Sequence, residues 1–300
     1  MVHNMKEYAF SEYHMGTEVT VSLIIADKIQ AKIIADTVFK EISVFEKIFS
    51  RFLPDSELSQ LNKTGKEIVS ESFLTVLNKS LELVRKTNGA FNPLVQVASL
   101  GYNKNFSDLA PEISITKNPY NTDIERIKIN QNTHEVILAS HQQLDFGGVL
   151  KGYLADKLTQ QIKKDYKACA GCIINIGGDI ATFGYDEFHE PFIFFIYNPI
   201  THEEIPVTLT DACLATSGTY KRLWQTNIGQ KHHLVNTLTQ ESSDSSFVSV
   251  SIIHNDGAVA EAYTKLFINR NQEEAISISK PDNIGFILIN NTGEVISNVL

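Results

Sequence analysis

Residues 141–158, His-Gln-Gln-Leu-Asp-Phe-Gly-Gly-Val-Leu-Lys-Gly-Tyr-Leu-Ala-Asp-Lys-Leu, are the stretch on which the interpretation of this chain depends. Leu144, Phe146 and Val149 predict the end of a buried strand, and the pair Gly147-Gly148 predicts a tight turn. A helical face follows, because apolar residues recur at steps of four: Leu150, Leu154 and Leu158. The stretch therefore predicts a strand, a turn and a helix.

Charged residues flank this glycine pair, with Asp145 before it and Lys151 after it. The first turn of a helix offers unpaired N–H groups and a partial positive charge, which makes it a natural site for an anion. A ligand that carries phosphate is the first prediction. The alternative is that the glycines only permit a sharp reversal of the backbone.

A second apolar run, Ile173 to Ile180, also contains Gly-Gly followed by an acid, in Gly177-Gly178-Asp179. Neither glycine turn fits the dinucleotide fingerprint G-x-G-x-x-G or the phosphate loop G-x-x-x-x-G-K-[ST]. The common nucleotide-binding folds are therefore not supported.

Composition limits the classes of partner. The 300 residues are 43% hydrophobic and 20% charged, enough for a sizeable core, and the net charge of −9 argues against a nucleic acid as partner. No apolar run approaches the roughly 18–20 residues of a membrane span. The N-terminal residues lack the features of a signal peptide or a lipobox cysteine, so we expect a cytoplasmic protein.

Three cysteines cannot form a disulfide framework. Cys169 and Cys172 form a C-x-x-C pair, but zinc would need two more ligands at suitable spacing. We expect these thiols to be buried beside the following strand, with a redox or metal role as the alternative.

Periodicity predicts helices over 27–49, 70–87 and 149–163, with Ser70 and Gly89 as the caps of the second. The polar segments 50–62 and 103–123 are predicted to be a loop and a surface excursion. Alternation predicts a set of strands: 18–25, a hairpin within 124–138, 191–197, 205–210, 247–253, 284–290 and 294–299. No repeat or linker divides the chain.

Several segments together resemble the ApbE family, the flavin transferases that use FAD to attach FMN covalently to a partner protein. The resemblance runs in order and at similar spacing through the chain: Met15-Gly16-Thr17, Phe49-Ser50-Arg51-Phe52, Pro54 to Ser59 with Asn62, Gly89-Ala-Phe-Asn-Pro93, Asp145 to Asp156, Asn175 to Asp179, Ala215-Thr-Ser-Gly218 with Tyr220, and His233-Leu-Val235. It implies an α+β fold related to the T-fold, in which mixed or antiparallel sheets pack against helices, as a single domain over residues 1–300.

The resemblance also implies the reaction and its components. FMN would be moved from FAD onto a Ser or Thr hydroxyl of a partner flavoprotein, with Mg²⁺ as cofactor. The FAD-binding residues that it implies are Met15, Phe52, Ala90, Phe91, Asn92, Asp145, Lys151 and Val235. Phe52 would pack against the flavin nucleotide, and its alternative is ordinary packing.

In this family a backbone carbonyl of the first glycine turn holds magnesium, together with an Asp and a Thr of the motif A-D-A-x-x-T. Carried over by position, the carbonyl falls on Gly148, the threonine on Thr264 and the aspartate on Ala260. Because alanine cannot bind a metal ion, Glu261 is expected to take its place if its carboxylate reaches round the helix. The alternative is that Glu261 faces solvent.

The family motif His-I-I-Asp-Pro-x-Thr-Gly corresponds to His233-Leu-Val-Asn-Thr-Leu-Thr-Gln240. The family histidine is implicated in chemistry near the diphosphate, so His233 is the predicted catalytic residue. Asn236 replaces the family aspartate, and we expect a neutral imidazole that can act as a base. The alternative is that His233 packs beside His232 at a strand end.

Two functions remain open from sequence: an active FAD:protein FMN transferase, and a non-catalytic FAD- or nucleotide-binding relative. Ala260, Asn236 and Asn92 each stand where the family has Asp, and each loss lowers the expected metal affinity. The other motif residues persist. A zinc hydrolase is disfavoured, because the nine histidines include no H-E-x-x-H spacing.

Overall fold

The computed structural model describes residues 5–104, 106, 109–115 and 119–300. The strands in chain order are β1 (Lys6–His14), β2 (Thr17–Ile25), β3 (Lys66–Ile68), β4 (Glu112–Ile113), β5 (Lys128–Asn130), β6 (Glu135–Ile137), β7 (Gly171–Ile176), β8 (Asp179–Gly184), β9 (Phe192–Tyr197), β10 (Glu204–Leu209), β11 (Cys213–Gly218), β12 (Leu223–Thr226), β13 (Gly229–His232), β14 (Phe247–His254), β15 (Gly285–Asn290) and β16 (Val295–Ser297). The helices are α1 (Lys28–Phe49), α2 (Glu57–Thr64), α3 (Glu71–Lys86), α4 (Leu150–Asp165), α5 (Gly257–Asn269) and α6 (Gln272–Ser279), with 3₁₀ turns at Val97–Leu100, Ile124–Arg126 and Lys280–Asp282. In the described ranges, no helix is both long enough and apolar enough to cross a membrane.

An eight-stranded sheet in the order β1-β2-β7-β8-β11-β14-β15-β16 forms the centre of the fold, and every neighbouring pair in it is antiparallel. Smaller sheets join β9 with β10, β3 with β6 and β5, and β13 with β12 and β4. Within the last of these, β12 and β4 are parallel. The predicted α+β class with mixed and antiparallel sheets is confirmed.

The helices predicted from periodicity are present as α1, α3 and α4. Ser70 caps α3, accepting a hydrogen bond from the backbone N–H of Phe73 at 3.2 Å. Gly89 has a φ of 75° and donates to the carbonyl of Val84 at 2.8 Å, as expected of a helix C-terminal glycine. The apolar stripes of α1 and α3 belong to the same core cluster as the inner face of the main sheet.

Helices α4 and α5 pack on the main sheet and against each other, and two glycines set their separation. A Cβ added to Gly152 would lie 2.2 Å from the carbonyl oxygen of Gly257, and one added to Gly257 would lie 2.1 Å from that of Gly152. Because the helices lie this close, a carboxylate of each helix accepts a hydrogen bond from a backbone N–H in the first turn of the other. The N–H of Gly152 donates to Glu261 Oε2 at 2.9 Å, and the N–H of Gly257 donates to Asp156 Oδ2 at 3.1 Å.

The strand predicted just before Asp145 is wrong, because residues 139–149 form turns and irregular backbone. The side-chain amide of Asn62 binds both main-chain groups of Leu144, at 2.7 and 2.8 Å. The N–H of Asp145 donates to the carbonyl of Pro93 at 2.7 Å. Since the backbone is paired with these groups, it does not join a sheet.

The segment 50–62 is only partly a loop, because α2 begins at Glu57. Ser56 caps this helix, accepting from the N–H of Ser59 at 3.0 Å. The predicted surface excursion over 103–123 lies in part outside the described residues, since positions 105, 107–108 and 116–118 are not among them.

The C-x-x-C cysteines are buried thiols without a disulfide. Burial raises the pKa of Cys169 to about 11 and raises that of Cys172 well above its ordinary value. A protonated buried thiol is neither a good nucleophile nor a metal ligand. Both pKa shifts and the packing agree with the expected structural role.

We expect Tyr263→Phe to lower the free energy of unfolding by about 1–2 kcal/mol, because it leaves a partly buried carboxylate without one of its donors. The hydroxyl of the fully buried Tyr263 donates to Asp282, whose other oxygen accepts from Lys86 at 2.8 Å. Urea unfolding at neutral pH measures the loss, with the exposed Tyr13→Phe as control. Equal stability of Tyr263→Phe and wild type would contradict this role.

The same network has a pH dependence. Burial raises the pKa of Asp282, but hydrogen bonds from Lys86 and Tyr263 outweigh it and hold the pKa below 3.8. A carboxyl group whose pKa is lowered on folding stabilises the fold at pH values above its unfolded-state pKa. This stabilisation is lost as the pH falls through the folded-state pKa. The difference between Tyr263→Phe and wild type should therefore shrink in acid.

Candidate functional site

A cleft of about 460 Å³ opens between the two glycine turns, the end of α1 and the segment that follows β13. Such a volume is within the range of small-molecule sites. Of the residues that sequence pointed to, Thr264 does not line this cleft, and the others do: Met15, Phe52, Ala90, Phe91, Asn92, Asp145, Gly148, Lys151, His233, Val235 and Glu261. Tertiary structure thus brings together residues from across the chain.

One wall of the cleft is aromatic. The guanidinium of Arg51 lies 4.8 Å from the ring centre of Phe52 and 4.6 Å from that of Tyr102. Phe52 is 37% exposed and lies outside the core clusters, so it presents an accessible ring to the cleft. Asp145 orients this wall, since its carboxylate accepts from Arg51 Nη1 at 2.5 Å and from the N–H of Gly147 at 2.8 Å.

Four charged side chains also line the cleft, and we call them the ion cluster: Lys151, Asp179, Glu261 and Lys265. Lys151 donates to Asp179, and its Nζ lies 3.6 Å from Glu261 Oε1. Lys265 Nζ lies 3.7 Å from the same oxygen and donates to the main-chain carbonyl of Glu261 at 3.1 Å. The carboxylates are 4% and 2% exposed, so the alternative of a solvent-facing Glu261 is wrong.

Burial and charge act in opposite directions within the ion cluster. Burial opposes the charge of Lys151, but Asp179 and Glu261 outweigh it and raise its pKa above 10.5. Burial lowers the pKa of Lys265 despite the attraction of Glu261 and Asp179. Burial also raises the pKa of Glu261, against the effect of Lys151. Of the two lysines, Lys151 therefore holds its positive charge more firmly than Lys265.

The backbone donors of the first glycine turn are largely taken up by the chain itself. Glu261 accepts from Gly152, and Asp145 accepts from Gly147. An anion predicted at the N-terminus of α4 would instead meet cationic side chains. Those that line the cleft are Arg51, Lys151, Lys221, Arg222 and Lys265.

His233 follows β13 directly, and its ring lines the cleft. Its Nδ1 is enclosed and makes no hydrogen bond within the described residues, whereas both ring nitrogens of His232 have backbone partners. Burial, followed by the nearby Arg222 and Lys265, lowers the pKa of His233 well below 6.5. The imidazole is therefore neutral at pH 7.

Asn236 is not the cause of that neutrality. Its side-chain oxygen accepts from the N–H groups of Leu238 and Thr239, at 2.9 and 3.3 Å, and it does not line the cleft. Asn92 is similarly structural, because its amide donates to the carbonyl of Thr122 at 2.9 Å, a bond that an ionised Asp could not make.

The predicted metal ligands do not fit a divalent cation. The hydroxyl of Thr264 is used in hydrogen bonds to Ser217 and to the carbonyl of Glu261, each of 2.7 Å. The carboxylate of Glu261 faces two ammonium groups, and a Cβ added to Gly148 would lie 3.3 Å from Lys265 Cε. Among the described residues, no cluster of three or more His, Cys, Asp and Glu offers a metal site of a different kind.

The structure also favours a different alignment of the A-D-A-x-x-T motif. Ala260 is fully buried in the core, while Glu261 and Lys265 face the cleft. Ala260-Glu-Ala-Tyr-Thr-Lys265 then matches the motif with Glu for Asp and Lys for Thr. The acid is lengthened rather than lost, and the threonine is replaced by a cation.

Sequence reasoning missed Lys265, Arg222 and Asn269. The amide of Asn269 donates to the carbonyls of Ala90 and Val235, each at 3.1 Å, and so ties two walls of the cleft together. The spacing of Glu261 and Lys265, four residues apart on one helix, was a signal that could have indicated an ion pair. Nothing in the local sequence marks Arg222 or Asn269.

This chain is similar to several known proteins. The model of the ApbE family matches residues 15–288. An FAD:protein FMN transferase of Klebsiella pneumoniae is 22% identical over 96% of this chain and 91% of its own length, and one of Treponema pallidum is 26% identical over 83% and 74%. The ApbE protein of Thermotoga maritima has a similar structure, with a TM-score of 0.84 at 20% identity over 97% of each chain. Flavin transferase ApbE of Vibrio cholerae superposes with a TM-score of 0.79 at 20% identity over 98% of this chain and 97% of its own.

Proposed function

Because this chain belongs to the ApbE family, we propose that it is an FAD:protein FMN transferase. The acceptor would be a Ser or Thr hydroxyl of a partner flavoprotein. Its oxygen forms a bond to the phosphorus of the FMN half of FAD, the P–O bond to the AMP half breaks, and AMP leaves with the electron pair. The hydroxyl proton passes to a base. The single-domain organisation and the cytoplasmic location expected from sequence stay predictions.

The observation that supports this proposal is the lining of the cleft, which combines accessible aromatic rings, several cationic side chains and a neutral imidazole. The aromatic rings suit the flat ring system of a dinucleotide, and the cationic side chains suit its diphosphate. The imidazole suits the transfer to a hydroxyl, which needs a base.

We assign the flavin to the aromatic wall. Phe52 offers an accessible ring, and Arg51, held by Asp145, stacks beside it. Met15, Ala90, Phe91, Asn92 and Val235 form the surrounding surface. The diphosphate lies against the cationic side chains, where Lys151 and Lys265 offer charge-assisted hydrogen bonds to its oxygens.

We assign the proton transfer to His233. A neutral imidazole that lines the cleft can accept the hydroxyl proton as the new P–O bond forms. The neighbouring Arg222 and Lys265 oppose the imidazolium that results, so the proton is passed on to solvent or to the leaving phosphate. No step is assigned to Mg²⁺, whose predicted ligands Gly148, Glu261 and Thr264 do not form a site for it.

The assay for transfer uses the purified protein, FAD and a candidate acceptor flavoprotein. We expect mass spectrometry to find an FMN-sized addition on the acceptor, and chromatography to find AMP in equal amount. An acceptor with its target Thr replaced by Val is the control. Firm FAD binding without transfer or AMP release would favour the non-catalytic FAD-binding alternative.

We expect the protein to bind FAD at least about tenfold more tightly than NAD or ATP. All three ligands carry phosphates that can contact the cationic side chains of the cleft, but only FAD has an isoalloxazine ring to cover Phe52 and Tyr102. Calorimetry with each ligand measures the difference, and Phe52→Ala should reduce it. An absence of FAD binding would remove both the transferase and the binding alternative.

A further inference from the structure

We infer that the ammonium of Lys265 supplies the positive charge that a divalent metal ion would otherwise supply beside the phosphates, so that FAD binding by this protein needs no divalent cation. This inference rests on the proposed function, and it concerns how the diphosphate is held. It arises from the disagreement between the predicted magnesium ligands and the contacts of Lys265.

Lys265 lies beside two of the three predicted metal ligands. Its Nζ is 3.1 Å from the carbonyl oxygen of Glu261 and 3.7 Å from Oε1 of the same residue, while its Cε adjoins Gly148. Two of the three predicted ligands are thus neighbours of this one side chain. The hydroxyl of the third, Thr264, is bonded to Ser217. An ammonium and a divalent cation repel each other, so both cannot occupy this place at once.

The charge balance of the ion cluster leads to the same conclusion. Two lysines and two carboxylates sum to zero, since +2 and −2 cancel. Without Lys265 the sum would be −1, so the ion cluster would attract a diphosphate less unless a cation were bound. Lys265 therefore supplies to the ion cluster the positive charge that a bound metal ion would supply.

The chemistry of an ammonium suits the task. It offers three donors and no acceptor, and its hydrogen bonds to phosphate oxygens are charge-assisted. In the transfer step it would face oxygens on which negative charge develops as the P–O bond to AMP breaks. The alternative is that Lys265 only neutralises Glu261 and has no contact with FAD.

The first test uses the unaltered protein. FAD is titrated by calorimetry after metal removal, once in EDTA and once in millimolar MgCl₂. We expect the two dissociation constants to agree within about twofold, since a cation that does not bind cannot contribute to affinity. Tightening by tenfold or more in MgCl₂ would overturn the inference and leave the proposed function intact. No FAD binding in either buffer would instead remove the proposed function.

The second test changes the residue. In EDTA, Lys265→Met should weaken FAD binding by about tenfold or more, whereas Lys32→Met, on the exposed face of α1, should leave it unchanged. Lys265→Thr should bind FAD weakly in EDTA and recover in MgCl₂, because it leaves an acidic wall with a hydroxyl beside it. Thermal unfolding establishes that the variants are folded. Wild-type FAD affinity in a folded Lys265→Met would overturn the inference, because the charge of Lys265 would then contribute nothing to FAD binding.

Discussion

His233→Ala is expected to slow FMN transfer by about 10²-fold or more while changing FAD affinity by no more than a few-fold. The imidazole lines the cleft, and its Nδ1 has no hydrogen-bond partner among the described residues, so the free protein leaves this atom uncommitted. Removing it should affect the step in which the hydroxyl proton moves rather than the binding of FAD. Single-turnover rates with saturating FAD, together with calorimetry, separate the two effects.

The pH profile provides a further readout. A base must be deprotonated to act, and the pKa of His233 is lowered well below 6.5 by burial and by Arg222 and Lys265. Transfer should therefore continue unchanged as the pH falls through 6.5 and decline only in stronger acid. His232→Ala is the control, because His232 binds backbone groups and should affect stability more than chemistry. Unchanged turnover in His233→Ala would show that this histidine only packs at the end of β13.

Lys151→Met should destabilise the fold by about 3–5 kcal/mol and weaken FAD binding, because it leaves buried carboxylates without their partner. The carboxylate of Asp179 is 4% exposed and pairs with Lys151, which also lies 3.6 Å from Glu261. Its side chain joins the first turn of α4 to the start of β8, so the loss affects the place where the two glycine turns meet. Urea unfolding at neutral pH measures the change.

The matched control also removes the carboxylate charge of Asp179 that Lys151→Met leaves unpaired. The double variant Lys151→Met with Asp179→Asn should recover a large part of the lost stability, since the remaining amide is cheaper to bury than a carboxylate. It should not recover FAD affinity, because the cation remains absent. If Lys151→Met were as stable as wild type, the pair would be too well hydrated to matter for the fold.

Much of the architecture was determined by local sequence. The spacing of apolar residues predicted α1, α3 and α4, and Ser70 and Gly89 marked the limits of α3, because caps and periodicity depend on neighbours in the chain. The family resemblance likewise implied which distant segments meet at the cleft. The segment before Asp145 was mispredicted as a strand, because its backbone partners Asn62 and Pro93 are remote in sequence.

What the tertiary structure decided was the direction in which the side chains of α5 point. The motif alone suggested that an acid was missing at Ala260, whereas the crossing of α4 and α5 at Gly152 and Gly257 turns Ala260 into the core and Glu261 and Lys265 into the cleft. A shift of one residue rotates a helical side chain by about 100°, and only the packed neighbour fixes that rotation. The sequence by itself, through its family resemblance, therefore determined which segments line the cleft, and the helix crossing decided that Lys265 lies beside the residues expected to bind a metal ion.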